Sequence, residues 1–188
     1  MNTMSSLLLG LLILAVAVAG DDNLKTCPGA PWMTVESACR NVSGTQAMYD
    51  TCKDALREIP NPLSDHDATV YALAAASSAL ASAAATEDAA IRLVHGGSEK
   101  VSGEEKDAYE ECIEAYTTAG HAMVAVIDKL GACGFGDLAG GYLDVIVDIE
   151  SCRDRVLKLT ASPIYGMVLV DRNKAGLAFI ITKKLLGV

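Results

Sequence analysis

The 188-residue chain carries 15 Lys and Arg against 24 Asp and Glu, a formal charge of −9. That balance argues against nucleic acid, acidic polysaccharide and anionic membrane faces, all of which call for a basic surface. One domain with a real core is admitted rather than two, and 51% apolar content with only 5% aromatic residues predicts helices packed through Ala, Val, Leu and Ile.

The first element is an apolar run from Leu7 to Ala19, interrupted only by Gly10 and free of charge before Asp21. It is shorter than the roughly 20 apolar residues of a membrane span, and Ala17-Val18-Ala19 offers small residues for cleavage. Residues 1–20 therefore read as a signal peptide, with a retained anchor as the alternative. Export without membrane attachment after cleavage follows. Residues 21–34 form an N-terminal arm. Residues 35–60 are expected to form a short helical hairpin, within which Asn41-Val42-Ser43 is an N-glycosylation sequon that makes Asn41 an acceptor candidate or an unused tripeptide.

Four long helical patterns follow over residues 64–188. The first runs from Ser64 to about Val94, with Ser64 and Asp67 resembling a capping box and Val70, Leu73, Ser77, Leu80, Ala84, Ile91 and Val94 as its expected inner stripe. The second begins at Ser102, with Glu105 as capping partner, and repeats Tyr109, Cys112, Tyr116, Ala119, Met123, Val126 and Leu130 before Gly131. The third carries Leu138, Tyr142, Val145, Ile149, Cys152, Val156 and Leu159. After Ser162-Pro163 the last starts near Val168 and carries Val170, Leu177, Ile181 and Leu185. Short connections between amphipathic segments predict an all-α fold, an antiparallel up-down-up-down four-helix bundle preceded by a disulfide-stapled N-terminal helical hairpin.

Six cysteines in an exported chain read as disulfides, and six allow 15 pairings. In an antiparallel hairpin, residues equidistant from the turn sit at one height. Cys112 and Cys152 have their midpoint in the Gly131-Ala132-Cys133-Gly134 turn, each roughly 30 Å away at about 1.5 Å per residue. Cys39 and Cys52 are centred between Thr45 and Gln46 in the same way. Cys27 and Cys133 remain, either as a third bridge between the arm and the bundle end or as free or intermolecular thiols. No Gly-x-Ser-x-Gly, His-Glu-x-x-His or phosphate-loop pattern occurs. No catalytic residue, metal ligand or cofactor is assigned, and the carboxylates Glu104, Glu105, Glu110, Glu111 and Glu114 read as a solvated helix face. A ligand carrier using the bundle interior is disfavoured, because Ala-rich helices pack too closely to leave a cavity.

The cysteine layout, together with Cys112-Ile113-Glu114-Ala115-Tyr116, Cys152 with Asp154, Ser162-Pro163-Ile164 and the tail Ala178-Phe179-Ile180-Ile181-Thr182, resembles the plant invertase and pectin methylesterase inhibitor family over residues 35–188. The tail is most similar to that of a pollen-allergen subgroup grouped with invertase inhibitors. The resemblance implies a secreted, monomeric, non-catalytic protein of the apoplast or cell wall, less so of the vacuole, that blocks the cleft of pectin methylesterase or acid invertase by noncovalent binding. In the first branch the long bundle helices cover the cleft; in the second, a Pro-Lys-Phe motif on the turn between the second and third bundle helices plugs it. This chain has Cys133-Gly134-Phe135-Gly136-Asp137 at that turn, and Val147 near where the first branch usually carries Thr. Phe135, Asp137 and Leu138 are the expected target-facing residues, with the alternative that Phe135 folds back over the bundle end.

Overall fold

The computed structural model describes residues 26–96, 101–159 and 161–188, so the expected signal peptide over residues 1–20 lies outside the described residues. The arm enters as a two-residue strand β1 (Trp32–Met33) and continues into α1 (Val35–Val42) and α2 (Gln46–Ala55), each opened by a threonine whose hydroxyl accepts from the third following amide. A second two-residue strand, β2 (His66–Asp67), pairs antiparallel with β1, Trp32 opposite Asp67 and Met33 opposite His66.

The bundle consists of α3 (Ala68–His95), α4 (Gly103–Gly131), α5 (Leu138–Val156) and α6 (Tyr165–Leu186). Helix α3 packs against α4 and α6, and α5 packs against the same two, which closes a four-helix square; α1 and α2 lie across α6 and α3. The α4–α5 contact is close enough that a Cβ on Gly141 would come within 2.7 Å of the Val126 Cγ2. Cys112 and Cys152 bridge these two helices with Cα atoms 4.5 Å apart, and Cys39–Cys52 ties α1 to α2.

Helix α4 starts as its sequence dictates. The Ser102 hydroxyl accepts from the Glu105 amide and the Glu105 carboxylate accepts from the Ser102 amide, which holds that carboxyl below its usual range, chiefly through the bond from the Ser102 backbone. The stripes of α4 and α5 are buried as spaced, from Tyr109 to Leu130 and from Leu138 to Val156.

Three sequence expectations are corrected. Helix α3 begins at Ala68, not Ser64, because residues 66–67 are drawn into pairing with the arm and Asp67 is itself the cap, accepting from the Thr69 amide at 2.7 Å. Its inner face is Ala72, Ala75, Ala76, Ala79, Ala83, Thr86 and Ala90, whereas Ser77, Ala84 and Ile91 are exposed. Alanines let α4 and α6 approach closely, and the larger Leu73, Leu80 and Val94 sit half-buried at the flanks. Helix α6 begins at Tyr165 and turns Val170 outward, because Asp171 takes the inward position next to it.

Asp171 is 1% exposed. It accepts from Ser82 Oγ at 2.5 Å and Thr86 Oγ1 at 2.5 Å on α3, and from the Tyr116 hydroxyl at 2.8 Å on α4. Three donors from two helices satisfy a carboxylate that burial alone would penalise heavily. Burial first, and the Asp171 charge second, hold the Tyr116 phenol well above its ordinary range.

Candidate binding surface

The turn at residues 131–137 is built by the end of α4. The Gly134 amide donates to the Lys129 carbonyl at 2.8 Å and the Cys133 amide to the Leu130 carbonyl at 3.0 Å, the paired bonds of a Schellman ending with Cys133 at its left-handed position, φ 57°. Asp137 is also left-handed, φ 56°, and opens α5 without a side-chain cap bond. Its carboxylate lies over the first turn of α5, where Oδ1 would be 2.8 Å from a Cβ on Gly140, and faces the positive end of that helix. Lys129 Nζ approaches Asp137 Oδ2 at 3.8 Å, but both side chains are open to water and the pair holds the turn weakly.

The three expected target-facing residues therefore differ in placement. Asp137 projects into solvent, Phe135 is half-buried with its side chain packed on the bundle core, and Leu138 is buried at 1% exposure. Leu138 is thus corrected from a contact residue to the anchor that seats the turn on the core: its step to Tyr142 and Val145 is the inward stripe of α5. Cys133 is joined to Cys27 of the arm, Cα atoms 5.5 Å apart across a sequence separation of 106. Asn41 is exposed on α1, a position open to modification.

A second surface escaped the sequence reading. On α5, Leu143 and Val147 lie one turn apart with 51% and 64% of their surfaces exposed. Beside them, between α2, α5 and α6, is an open groove of about 360 Å³, floored by Met48, Ile146, Leu177 and Ile180 and edged by Arg172 and Asn173. Elsewhere on α5, partial burial first, then the Asp144 charge, pushes the Asp148 carboxyl up. The signal was available in principle, since Leu143 and Val147 fall off the inward stripe yet are apolar.

On the α4 face, Lys106 pairs with Glu110 at 3.4 Å and Arg155 with Glu111 at 2.5 Å. Among the described residues, no group of three or more His, Cys, Asp and Glu is arranged to hold a metal ion.

A family model described as plant invertase/pectin methylesterase inhibitor matches residues 33–174. Among solved structures, the chain is similar to the crystal structure of mutant form A of a pectin methylesterase inhibitor from Arabidopsis, with a TM-score of 0.64 and 18% identity over 80% of this chain and 96% of that one. It is also similar to a pectin methylesterase inhibitor from Arabidopsis thaliana, with a TM-score of 0.59 and 18% identity over 80% and 95% of the two chains. At that identity the likeness is one of fold. No curated protein matches the sequence.

Proposed function

This chain belongs to the plant invertase/pectin methylesterase inhibitor family, and from that premise we propose that it is a secreted, non-catalytic inhibitor of pectin methylesterase, acting as a monomer in the apoplast or cell wall. In this reading residues 1–20 are a signal peptide, 21–34 an arm, and 35–188 the inhibitor domain. The observation that carries the choice of target is the α4–α5 turn. Pro-Lys-Phe does not occur there, and its one aromatic, Phe135, is packed against the bundle rather than projecting as a plug. A few buried anchors carry most of the energy of a protein interface, so a turn without a projecting anchor moves the binding role to the helix faces. The exposed Leu143 and Val147 on α5 supply apolar area there.

The alternative target is acid invertase. It is favoured by the resemblance of the C-terminal tail to the invertase-inhibitor subgroup and by the presence of an aromatic on a Gly-flanked turn. The deciding experiment assays the purified mature protein against a pectin methylesterase and an acid invertase at wall-like pH. Stoichiometric loss of esterase activity with invertase untouched is expected. Potent invertase inhibition with an unaffected esterase reverses the assignment, and makes Phe135 the first residue to mutate.

A further inference from the structure

Six cysteines form three bridges, and they are not equivalent. Cys39, Cys52, Cys112 and Cys152 are at most 1% exposed, deep in the packing of their helices. Cys27 is buried at 4%, whereas Cys133 is the one cysteine with appreciable surface open to solvent. Cys133 also occupies the left-handed position of the Schellman ending, which sterics reserve mainly for glycine. A side chain persists in that conformation where its surroundings over-determine it. The other holds on the turn are local: two backbone bonds back to α4, an exposed ion pair, the half-buried Phe135, and Leu138, which seats the end of the turn on the core but leaves residues 132–137 without a second tie to the arm.

The long-range hold is the bridge, and its far end is firmly founded. The Cys27 amide donates to Asp67 Oδ2 at 2.9 Å, and that buried carboxylate caps α3. The arm behind it is fixed by the Ala68 amide donating to the Pro31 carbonyl at 2.9 Å, by the β1–β2 pairing, and by the Tyr71 hydroxyl donating to the Met33 carbonyl. The turn is thus clamped to the start of α3 through one covalent bond, while the bundle is held by bonds and packing that do not involve it.

We propose that the Cys27–Cys133 bridge is a redox-sensitive clasp that sets the shape of the α4–α5 turn, opened by a dithiol ahead of the other two bridges while the bundle stays folded. One thiolate of the dithiol attacks the Cys133 sulfur, the Cys27–Cys133 bond breaks, and Cys27 leaves as a thiolate that takes up a proton. The second thiol of the reductant then displaces Cys133, which is released as a thiol, and the dithiol departs as its own disulfide. Two electrons pass to the protein. The turn, freed from the arm, relaxes toward ordinary backbone angles, and Phe135 and Asp137 lose their fixed placement. The consequence for inhibition rests on the inhibitor reading above; the order of opening does not.

The test uses the oxidised mature protein treated with increasing dithiothreitol without denaturant, quenched by alkylation and mapped by mass spectrometry. Cys27 and Cys133 should be alkylated first, with helical circular dichroism unchanged and hydrogen exchange faster by about tenfold or more at residues 132–137 while the inward amides of α4 and α5 remain the slowest to exchange. Trp32, the chain's single tryptophan and 60% exposed on the arm, gives a fluorescence readout of the same step. A C27S/C133S variant should show the fast exchange without reductant. Opening of either other bridge first, collapse of helicity at the first opening, or unchanged exchange in the variant overturns the clasp. Where the oxidised protein inhibits an enzyme, reduction or the variant should change the inhibition constant severalfold, and an unchanged constant overturns the link to the target. A protein that inhibits neither enzyme overturns the inhibitor reading, while labelling order and exchange still decide the clasp.

Discussion

Asp171 illustrates how one residue reorganises what its neighbours do. The hydroxyls of Ser82, Thr86 and Tyr116 converge on it from two helices, so α6 is pinned in register and in rotation about its axis. Removing the carboxylate leaves the buried Thr86 and Tyr116 hydroxyls and the half-buried Ser82 hydroxyl short of an acceptor and opens a cavity. Asp171→Ala should therefore cost about 3 kcal/mol of unfolding free energy, read as a lower urea midpoint with an unchanged m-value. Asp171→Asn, which keeps the shape and one acceptor oxygen, should cost less. An Ala variant as stable as the parent would mean that the hydroxyls find other partners at no cost.

At the scale of elements, α3 is the helix whose role depends most on small size. Its inner alanines set the distance to α4 and α6, and Ala79 is 3% exposed between them. Ala79→Leu should force these helices apart at a cost of about 1–3 kcal/mol by overpacking. Ile91, although larger and more hydrophobic, points outward on the same helix, so Ile91→Ala should stay within about 0.5 kcal/mol of the parent. Thermal melts of the pair distinguish the alanine face from the face expected by hydropathy, which would reverse the two effects. The helix is also long and apolar enough to cross a membrane, yet half of its most apolar stretch is buried in the bundle.

For the whole molecule, covalent and electrostatic features set the stability window. In the chain-entropy account, longer closed loops stabilise more, so opening the 106-residue Cys27–Cys133 loop should cost about 4–5 kcal/mol. The 13-residue Cys39–Cys52 loop should cost about 3 kcal/mol, with the 40-residue Cys112–Cys152 loop between them. Denaturation of the three Cys→Ser pair variants checks the order; a reversed order would show that strain or cavity formation dominates. Burial pushes the phenols of Tyr71 and Tyr142 up to about 12, offset in Tyr142 by its bond with Thr182. A raised phenol pKa means that the folded state favours the neutral form. Stability is therefore full below the ordinary value of 10.0 and is lost as pH rises toward about 12, which an alkaline series of melts with ultraviolet detection of phenolate follows. The formal charge of −9 acts beyond the molecule. Inhibition of a basic pectin methylesterase should weaken as salt rises, mainly through slower association, and an association rate indifferent to salt would remove charge from the account.

The amino-acid sequence by itself determined the all-α architecture and the inward stripes of α4 and α5, because apolar residues recur there at every three- or four-residue step without a gap while the opposite positions are broken by charged and polar residues. The capping box at Ser102 and Glu105 was equally legible, being local in sequence. The face of α3 was not, since a helix rich in alanine is apolar on every side and only the neighbours that need close approach select one. Asp171 was unreadable for the same kind of reason: a charge is assigned to the surface until hydroxyls from two other helices are brought to meet it. The start of α3 shifted because Asp67 and His66 pair with an arm more than thirty residues earlier. At the binding surface, hydropathy could place Phe135 and Asp137 on a turn, but it could not tell that Leu138 faces inward to seat the turn or that Leu143 and Val147 stand outward beside a groove. Those outcomes depend on the rotation of each helix about its own axis, which packing between helices, and not the spacing within one, decides.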